Sequence, residues 1–344
     1  MRIDLLPSEK KVYKANLHTH SNLSDGKLTP KELRDAYRGH GYSVLAITDH
    51  EFCVDHSDLN CEDFLLLTGY ELQIVDPVRP RRANQKCCHV CLLSKDPHDF
   101  KHVYFSPNAY DLRRLCHIPE EIPNMKYVGE PFVEKYYDVD LINEVARLAK
   151  ENNYLIAYNH PTWSLEEYPT YSKLRGFYAM EIYNNDCNQL GMDEYNPAVY
   201  DCMLRSGARL GCIAADDAHY GHPMGDPLCD LFGGWTMIWS ESLEYGKIME
   251  ALEKGDFYAS TGPEIKALYL KDGEVHVETS DARSIALTTG GRRACLVKAR
   301  EGEFVHEAVF PLAADDGYIR ITVKDWQGRP ANSRAYFTDE FECK

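Results

Sequence analysis

Several features are missing from the sequence, and each absence excludes a class of protein. No apolar run approaches the roughly 20 residues that a membrane-spanning helix needs, and the charged segment Met1–Lys11 has no apolar core of a secretory signal. Positive charge is also scarce, because 38 Lys and Arg residues face 54 Asp and Glu residues, for a net charge of −16. This balance argues against a protein that coats nucleic acid or binds an anionic membrane. We therefore expect a cytoplasmic protein, and the sequence leaves its oligomeric state open.

Several common catalytic and metal-binding motifs are absent as well. The sequence contains neither a GxSxG nucleophile elbow nor a GxxxxGK[ST] phosphate loop, which disfavours a serine hydrolase of that type and an NTPase. Its twelve cysteines are mostly scattered singly, as is typical of reduced thiols. The one cluster, Cys87, Cys88 and Cys91 around His89, has no further ligands at finger-like spacing nearby. A structural zinc site is therefore not predicted there.

Alternation of short β-rich runs with amphipathic helical patterns predicts a βα architecture over residues 1–262. The expected strands are Val12–Leu17, Val44–Thr48, Leu65–Tyr70, Val90–Leu93, Leu155–Asn159, Ala179–Tyr183, Leu210–Ala214 and Thr236–Trp239. The expected helices are Pro30–Gly39, Val139–Glu151, Pro197–Ser206 and Leu243–Glu253. The first helix has a clear start, with Thr29 as N-cap and Glu32 in the first turn.

Two segments depart from this rhythm. Residues 98–137 form an irregular insertion that is rich in Pro, Tyr and charged residues and is too long for an ordinary loop. This insertion is either a lid over a site or an irregular surface excursion. Residues 263–344 carry short β-rich runs separated by Gly turns, which predict a small antiparallel β domain.

Histidines and acids follow the expected strands. His18 and His20 come directly after the first strand, and Asp217 and His219 follow Leu210–Ala214. Residues i and i+2 of an extended chain point to the same side, so each pair can face one ion. The other candidates at corresponding places are Asp25, His50, Glu71 and His160. In a barrel of parallel strands, the carboxyl ends meet on one rim, so these groups would converge into a metal site.

The chemistry of this set suits Zn²⁺, Mn²⁺ or Fe²⁺, because it combines imidazoles with carboxylates and lacks a thiolate. The candidates are too many for one ion, so two or three divalent ions are implied, with Glu71 as the most plausible bridge. Asp49 and Asp216 each precede a candidate ligand. They either support a ligand from behind or are ordinary loop acids.

The segments NLHTHSNLSDG, AITDH, TGYE, YNHP and AADDAH together resemble the PHP (polymerase and histidinol phosphatase) family, over about residues 12 to 260. The resemblance implies a distorted, TIM-barrel-like (β/α)7 barrel with a di- or trinuclear centre. It assigns one ion to His18, His20, Glu71 and Asp217, and a second to Asp25, His50 and His219. It assigns a third ion to Glu71, His160 and His89, the histidine that best matches the strand after Glu71.

Other segments resemble one branch of that family. STGPE and the β-rich tail resemble a branch that includes carbamate-ester hydrolases and metal-dependent phosphoesterases, and MEIYNN recurs in it. Glu181 in MEIYNN either reaches the site or packs within a strand. Arg82, with Arg79, Arg81 and Lys86, either supplies positive charge for a phosphate or belongs to a solvated basic loop.

The resemblance leaves three hypotheses of function. The first is a phosphoesterase acting on a small phosphorylated metabolite, with a nucleotide as the best guess. The second is a carbamate, ester or amide hydrolase that uses the same centre, and the third is a metal-binding module without turnover. In the first two, water bound to the ions would attack the substrate, so no catalytic side chain is predicted beyond that water.

Overall fold

A computed structural model describes residues 2–75, 83–107, 110–117, 124–130 and 137–341. Arg79, Arg81 and Arg82 lie outside the described residues, as do parts of the insertion 98–137. No helix in the described ranges is both long enough and apolar enough to cross a membrane.

The elements alternate as the sequence predicts through the first part of the chain and then become strands alone. The strands of the described residues are β1 Arg2–Asp4, β2 Lys11–Asn16, β3 Val44–Ile47, β4 Leu65–Val75, β5 Cys87–Ser94, β6 Tyr154–Tyr158, β7 Ala179–Asn184, β8 Gly211–Ala215, β9 Trp235–Ser240, β10 Phe257–Ser260, β11 Ile265–Lys271, β12 Glu274–Ala282, β13 Ser284–Thr289, β14 Ala294–Lys298, β15 Val305–Pro311, β16 Tyr318–Lys324, β17 Pro330–Ser333 and β18 Tyr336–Phe337. The α-helices are α1 Pro30–Gly39, α2 Tyr110–Arg114, α3 Val139–Glu151, α4 Tyr168–Tyr171, α5 Asn185–Gln189, α6 Pro197–Arg205 and α7 Tyr245–Lys254, and short 3₁₀ helices span Ser57–Leu59 and Thr338–Glu340.

Local sequence accounts for where the first helix begins. The Thr29 hydroxyl accepts a hydrogen bond from the Glu32 backbone N–H at 3.2 Å, and the Glu32 carboxylate accepts one from the Thr29 N–H at 2.8 Å. This reciprocal capping box satisfies two amide groups that the first turn leaves without helical partners. The bounds predicted for α1 and α3 are confirmed.

The main sheet mixes parallel and antiparallel strands. β2, β3 and β4 are parallel neighbours, and so are β6, β7 and β8. Between these groups, β5 runs antiparallel to both β4 and β6, which differs from a uniformly parallel barrel. The short connection from β4 to β5 explains its direction, because a parallel crossover needs a dozen or more residues and usually a helix. The mixed α/β architecture is confirmed.

The segments that follow β2 and β8 are joined by backbone hydrogen bonds. His20 N–H donates to the Ala218 carbonyl and Asp217 N–H donates to the His18 carbonyl, both at 2.9 Å. Thr19 and Ala218 form a parallel bridge between the two segments. This link places the first and last candidate ligands of the sequence side by side.

Pairing also crosses residue 262, where the sequence predicts a domain boundary. β10 pairs with β17, so strands from the C-terminal part belong to the same sheet as β2. β1, at the other end of the chain, pairs with β11 in a separate four-stranded antiparallel sheet. The division into domains at residues 262 and 263 stays a prediction.

Candidate metal centre

The nine candidate ligands come together at one place. His18 and His20 follow β2, His50 follows β3, His160 follows β6, and Asp217 and His219 follow β8. Asp25 lies in the loop before α1. Glu71 differs from the expectation that it follows a strand end, because it lies inside β4. His89 lies on β5, the strand after Glu71, as the resemblance implies. β4 continues past Tyr70 because its second half pairs with antiparallel β5, with Glu71 opposite Cys91 and Gln73 opposite His89.

Glu71 lies at the middle of this set and is buried. Its carboxylate oxygens lie 3.1–3.6 Å from imidazole nitrogens of His18, His20, His50, His89 and His160. Asn159 Nδ2 donates a hydrogen bond to Oε1 at 2.8 Å. Although burial opposes ionisation, the imidazoles of His89 and His18 hold the pKa of Glu71 well below its usual range. A buried carboxylate kept charged by imidazoles on several sides suits a bridging position.

The first group contains His18, His20 and Asp217. The Nε2 atoms of the two histidines lie 3.3 Å apart, and Asp217 Oδ1 lies 3.1 Å and 3.0 Å from them. Ligand atoms at 2.0–2.2 Å from one ion are separated by about 3.0–3.4 Å in tetrahedral or octahedral geometry. The observed separations therefore match a shared ion. Asp217 also has a φ of 54°, a left-handed conformation that an Asp adopts at some energetic cost.

The second group contains His20, Asp25, His50 and His219, whose ligand atoms lie within 4.8 Å of one another. Asp25 is central, with its oxygens 3.4 Å from His50 Nε2 and 3.5 Å from His219 Nε2. Although burial opposes ionisation, hydrogen bonds from these histidines hold the pKa of Asp25 far below its usual range. His20 Nδ1 faces Asp25 at 3.7 Å, so this histidine lies between the first and second groups.

The third group contains His18, Glu71 and His160. His89 approaches the same carboxylate oxygen of Glu71, with its Nδ1 at 3.1 Å. The other ring nitrogen of His89 lies 2.6 Å from the side-chain amide of Gln73, which orients the ring. The sequence analysis missed Gln73, whose only signal was its position two residues after Glu71 on the same face of β4.

The half-exposed ring of Trp163 borders this third group. Its centroid lies 5.1 Å from the ring centroids of both His89 and His160. Lys86, which the sequence offered as a phosphate contact, instead has its ammonium bonded to the exposed Glu167 carboxylate.

Glu181 faces the site directly. Its carboxylate lies 2.7 Å from His18 Nδ1 and accepts a hydrogen bond from the His160 N–H at 3.0 Å. Asn184 Nδ2 donates to both Glu181 and Asp217 at 3.1 Å. Because Glu181 engages Nδ1 of His18, the Nε2 lone pair of that ring is directed toward the first group.

Asp49 and Asp216 hold loops rather than contacting the candidate ligands. Asp49 accepts hydrogen bonds from the N–H and hydroxyl of Ser21 and from the Ser24 hydroxyl, in the loop that carries Asp25. Asp216 accepts from the Tyr37 hydroxyl and from the backbone N–H groups of residues 232–234. Both are buried.

Two further buried acids, Glu194 and Asp230, accept hydrogen bonds from backbone N–H groups at or just after candidate ligands. Glu194 accepts from the N–H groups of Thr162 and Trp163 at 2.9 Å and 2.8 Å, just after His160. Asp230 accepts from the His219 N–H at 2.7 Å. It also forms, with Asp186 and His219, a fourth group that could hold an ion. The sequence carries no signal for these acids, because an acid in a polar loop is usually exposed.

No protein-family model matches the chain, and no curated protein matches it. A two-domain protein from Bacteroides vulgatus, described as containing a predicted PHP-like metal-dependent phosphoesterase, is 14% identical, with a TM-score of 0.44 and 96% of each chain covered.

Two other solved structures cover less of the chain. One is a putative metal-dependent phosphoesterase from Bifidobacterium adolescentis (17% identity, TM-score 0.39, covering 64% of this chain and 91% of that one). The other is an amidohydrolase from Chromobacterium violaceum with bound sulfate (17% identity, TM-score 0.37, covering 62% and 93%). At these identities and TM-scores, the similarities do not identify the activity of this chain.

Proposed function

We propose that the protein is a metal-dependent phosphoesterase of the PHP type that hydrolyses a small phosphorylated metabolite, with a nucleotide as the best candidate. The observation that carries the proposal is the position of Glu71, whose two buried oxygens lie within 3.6 Å of nitrogens from five histidines. A structural carboxylate needs only one or two hydrogen-bond partners. A carboxylate that bridges two ions must lie next to the other ligands of both ions. The motif resemblance supports the phosphoesterase activity, and this geometry supports the metal centre on which that activity would depend.

The proposed fold is a distorted (β/α)7 barrel formed by β2 to β8. One apolar cluster takes side chains from each of these strands, among them Ala15, Ala46, Leu67, Leu155 and Ile213. The bridge between Thr19 and Ala218 joins the segments after its first and last strands. Convergence of alternate side chains from all seven strands is the arrangement that a barrel interior requires.

The donor set fits two or three divalent ions, Zn²⁺, Mn²⁺ or Fe²⁺. His18, His20 and Asp217 would hold one, Asp25, His50 and His219 a second, and His160 and His89 a third, with Glu71 shared. Bound divalent ions lower the pKa of water and compensate negative charge that develops on the substrate. The chain contributes orientation, because Glu181 bonds directly to His18 and His160, and Asp230 bonds directly to His219. Glu194 holds the backbone just after His160.

One observation favours a second candidate, hydrolysis of a neutral carbamate, ester or amide. Over the described ranges, no Lys or Arg lies within 4.0 Å of the carboxylates of Asp25, Glu71 or Asp217. A phosphate group commonly recruits such cations, whereas a neutral carbonyl substrate does not need them.

A substrate screen on purified protein distinguishes the candidates. The protein is reconstituted separately with Zn²⁺, Mn²⁺ and Fe²⁺, its metal content is measured, and it is assayed with phosphomonoesters, phosphodiesters and aryl carbamates. We expect two or three ions per chain and turnover of a phosphomonoester. Turnover of carbamates with every phosphoester intact would replace the first candidate by the second. Fully loaded protein that turns over nothing would point to a metal-binding module.

A further inference from the structure

A cleft of about 650 Å³ lies between strands of the main sheet and the loop that precedes β17. None of the nine candidate ligands lines it. Four half-buried aromatic side chains do, namely Tyr183, Tyr195, Phe232 and Trp235. The volume lies within the roughly 300–1,000 Å³ that small-molecule sites occupy.

The cleft also contains an ammonium group without a carboxylate partner. Lys14 Nζ lies 4.0 Å above the rings of both Tyr42 and Trp235. Among the residues that the structure describes, no carboxylate lies within 4.0 Å of it. Burial lowers the pKa of Lys14, against the opposing effect of Asp216. The two rings stabilise the ammonium group by cation–π contacts, and a bound anion would supply the partner of opposite sign that it lacks.

Arg329 also lines the cleft, and Lys324 lies next to it, but within the described residues only Arg329 of the two forms an ion pair. Lys324 Nζ lies 5.8 Å from the centre of the Tyr195 ring, and over the described ranges it too has no ion pair. Arg329 Nε, in contrast, donates to Asp325 at 2.7 Å. No Asp or Glu lines the cleft. In a chain of net charge −16, an aromatic cleft lined by the Lys14 ammonium group and by no acid is an unusual local environment.

The cleft wall is held in place by hydrogen bonds of the protein itself. The backbone N–H groups of Phe232 and Gly233 donate to the buried Asp216 carboxylate at 2.7 Å and 2.9 Å. The cleft is therefore formed without a ligand, and binding would not have to order this segment.

We propose that this cleft binds a small planar anion, an aromatic ring that carries a carboxylate or a phosphate group. The ring would pack against the aromatic side chains, whose flat surfaces favour stacked or edge-to-face contacts. The anionic group would pair with Lys14, which supplies a charge-assisted hydrogen bond. This site is separate from the proposed metal centre and does not depend on the reaction catalysed there.

Isothermal titration calorimetry tests the proposal on the full chain. The probes are 1-naphthoate and 1-naphthylphosphonate, which distinguish a carboxylate from a phosphate-like ligand, and uncharged 1-naphthalenemethanol. We expect at least one anion to bind, and the uncharged probe to bind at least 10-fold more weakly. Lys14→Met should weaken binding of the anion at least 10-fold. Lys11→Met, an exposed position on the same strand, should change it less than 2-fold.

The same titration is repeated on chelator-treated protein and on Glu71→Gln, with circular dichroism spectra to establish that each variant is folded. Binding that persists in both supports a separate site. Binding that disappears in both would place the probe at the metal centre and overturn the proposal. Equal affinity of Lys14→Met and the unaltered protein, or no binding of either anion at millimolar concentration, would also overturn it.

Discussion

The carboxylate of Asp201 accepts two hydrogen bonds from the guanidinium of Arg320, at 2.8 Å and 2.7 Å, across the position where the sequence predicts a domain boundary. Asp201 lies on α6 and Arg320 on β16, and both residues are buried. The Tyr318 hydroxyl donates to the same carboxylate at 3.0 Å. Two-point pairing of this kind fixes orientation as well as distance.

Loss of one partner should therefore destabilise the whole chain. Arg320→Met leaves the Asp201 carboxylate buried without its cation, which should lower the free energy of unfolding by about 3–5 kcal/mol. Urea denaturation measures this change. Arg209→Met, which breaks an exposed pair with Asp339, is the control and should lower the free energy of unfolding far less. Similar effects of the two substitutions on the free energy of unfolding would show that the buried pair stabilises the chain no more than the exposed pair does.

Glu71 and His89 should differ in their contribution to activity. Glu71→Gln alters a group placed between several imidazoles, so it should affect more than one ion. Its loss of kcat/KM should exceed the roughly 10–100-fold that is typical when a supporting residue is removed. His89→Ala should cost less, because it removes one ligand of one ion. Steady-state kinetics and metal analysis of each variant test this prediction. A larger loss of kcat/KM for His89→Ala than for Glu71→Gln would contradict the assignment of Glu71 as the bridge.

Glu181 should act through His18 rather than on the substrate. Glu181→Gln keeps the size of the side chain but removes the charge that faces His18 Nδ1 at 2.7 Å. We expect metal affinity, measured by competition with a chelator, to fall roughly 10–100-fold. Glu167→Gln is the matched control, because that carboxylate is exposed and pairs with Lys86 rather than with His18. Unchanged metal affinity in Glu181→Gln would show that the contact is only packing.

Glu166 should make stability depend on pH. Burial raises the pKa of Glu166 from 4.5 to about 7, against the opposing effect of the Tyr137 and Tyr158 hydroxyls. The folded state therefore binds the proton of the Glu166 carboxyl group more tightly than the unfolded state does. The resulting stabilisation is fully present below about pH 4.5 and is lost as the pH rises through about 7.

Chemical denaturation at several values between pH 5 and pH 8 measures this effect. Glu166→Gln stays neutral, so its stability should decline less over this range than that of the unaltered protein. Glu253→Gln, on the surface of α7, should follow the unaltered protein. Parallel curves for Glu166→Gln and the unaltered protein would contradict the prediction.

The candidate ligands could be placed from sequence where strand geometry is local. The side chains of His18 and His20 point to one side because side chains alternate along an extended chain, and their Nε2 atoms lie 3.3 Å apart. The direction of β5 could not be read in the same way, because an apolar run looks the same in a parallel and an antiparallel strand. That direction decides how His89 reaches Glu71.

The supporting acids show a second limit of the sequence. Glu194 and Asp230 lie outside helices and strands, where most acids are exposed, and both are buried through hydrogen bonds to other loops. Glu181 could be singled out only because its motif resembles one known in related sequences. Short-range patterns therefore predict which residues meet, while tertiary packing decides which residues hold them.

The buried carboxylates that hold the loops have a thermodynamic consequence. Asp49, Glu194 and Asp230 accept backbone N–H groups of the loops that carry Asp25, His160 and His219. The conformational entropy of these loops is lost when the chain folds, not when an ion arrives. Ion binding would then proceed with little reorganisation, and damage to one anchor would loosen one loop while the others keep their shape.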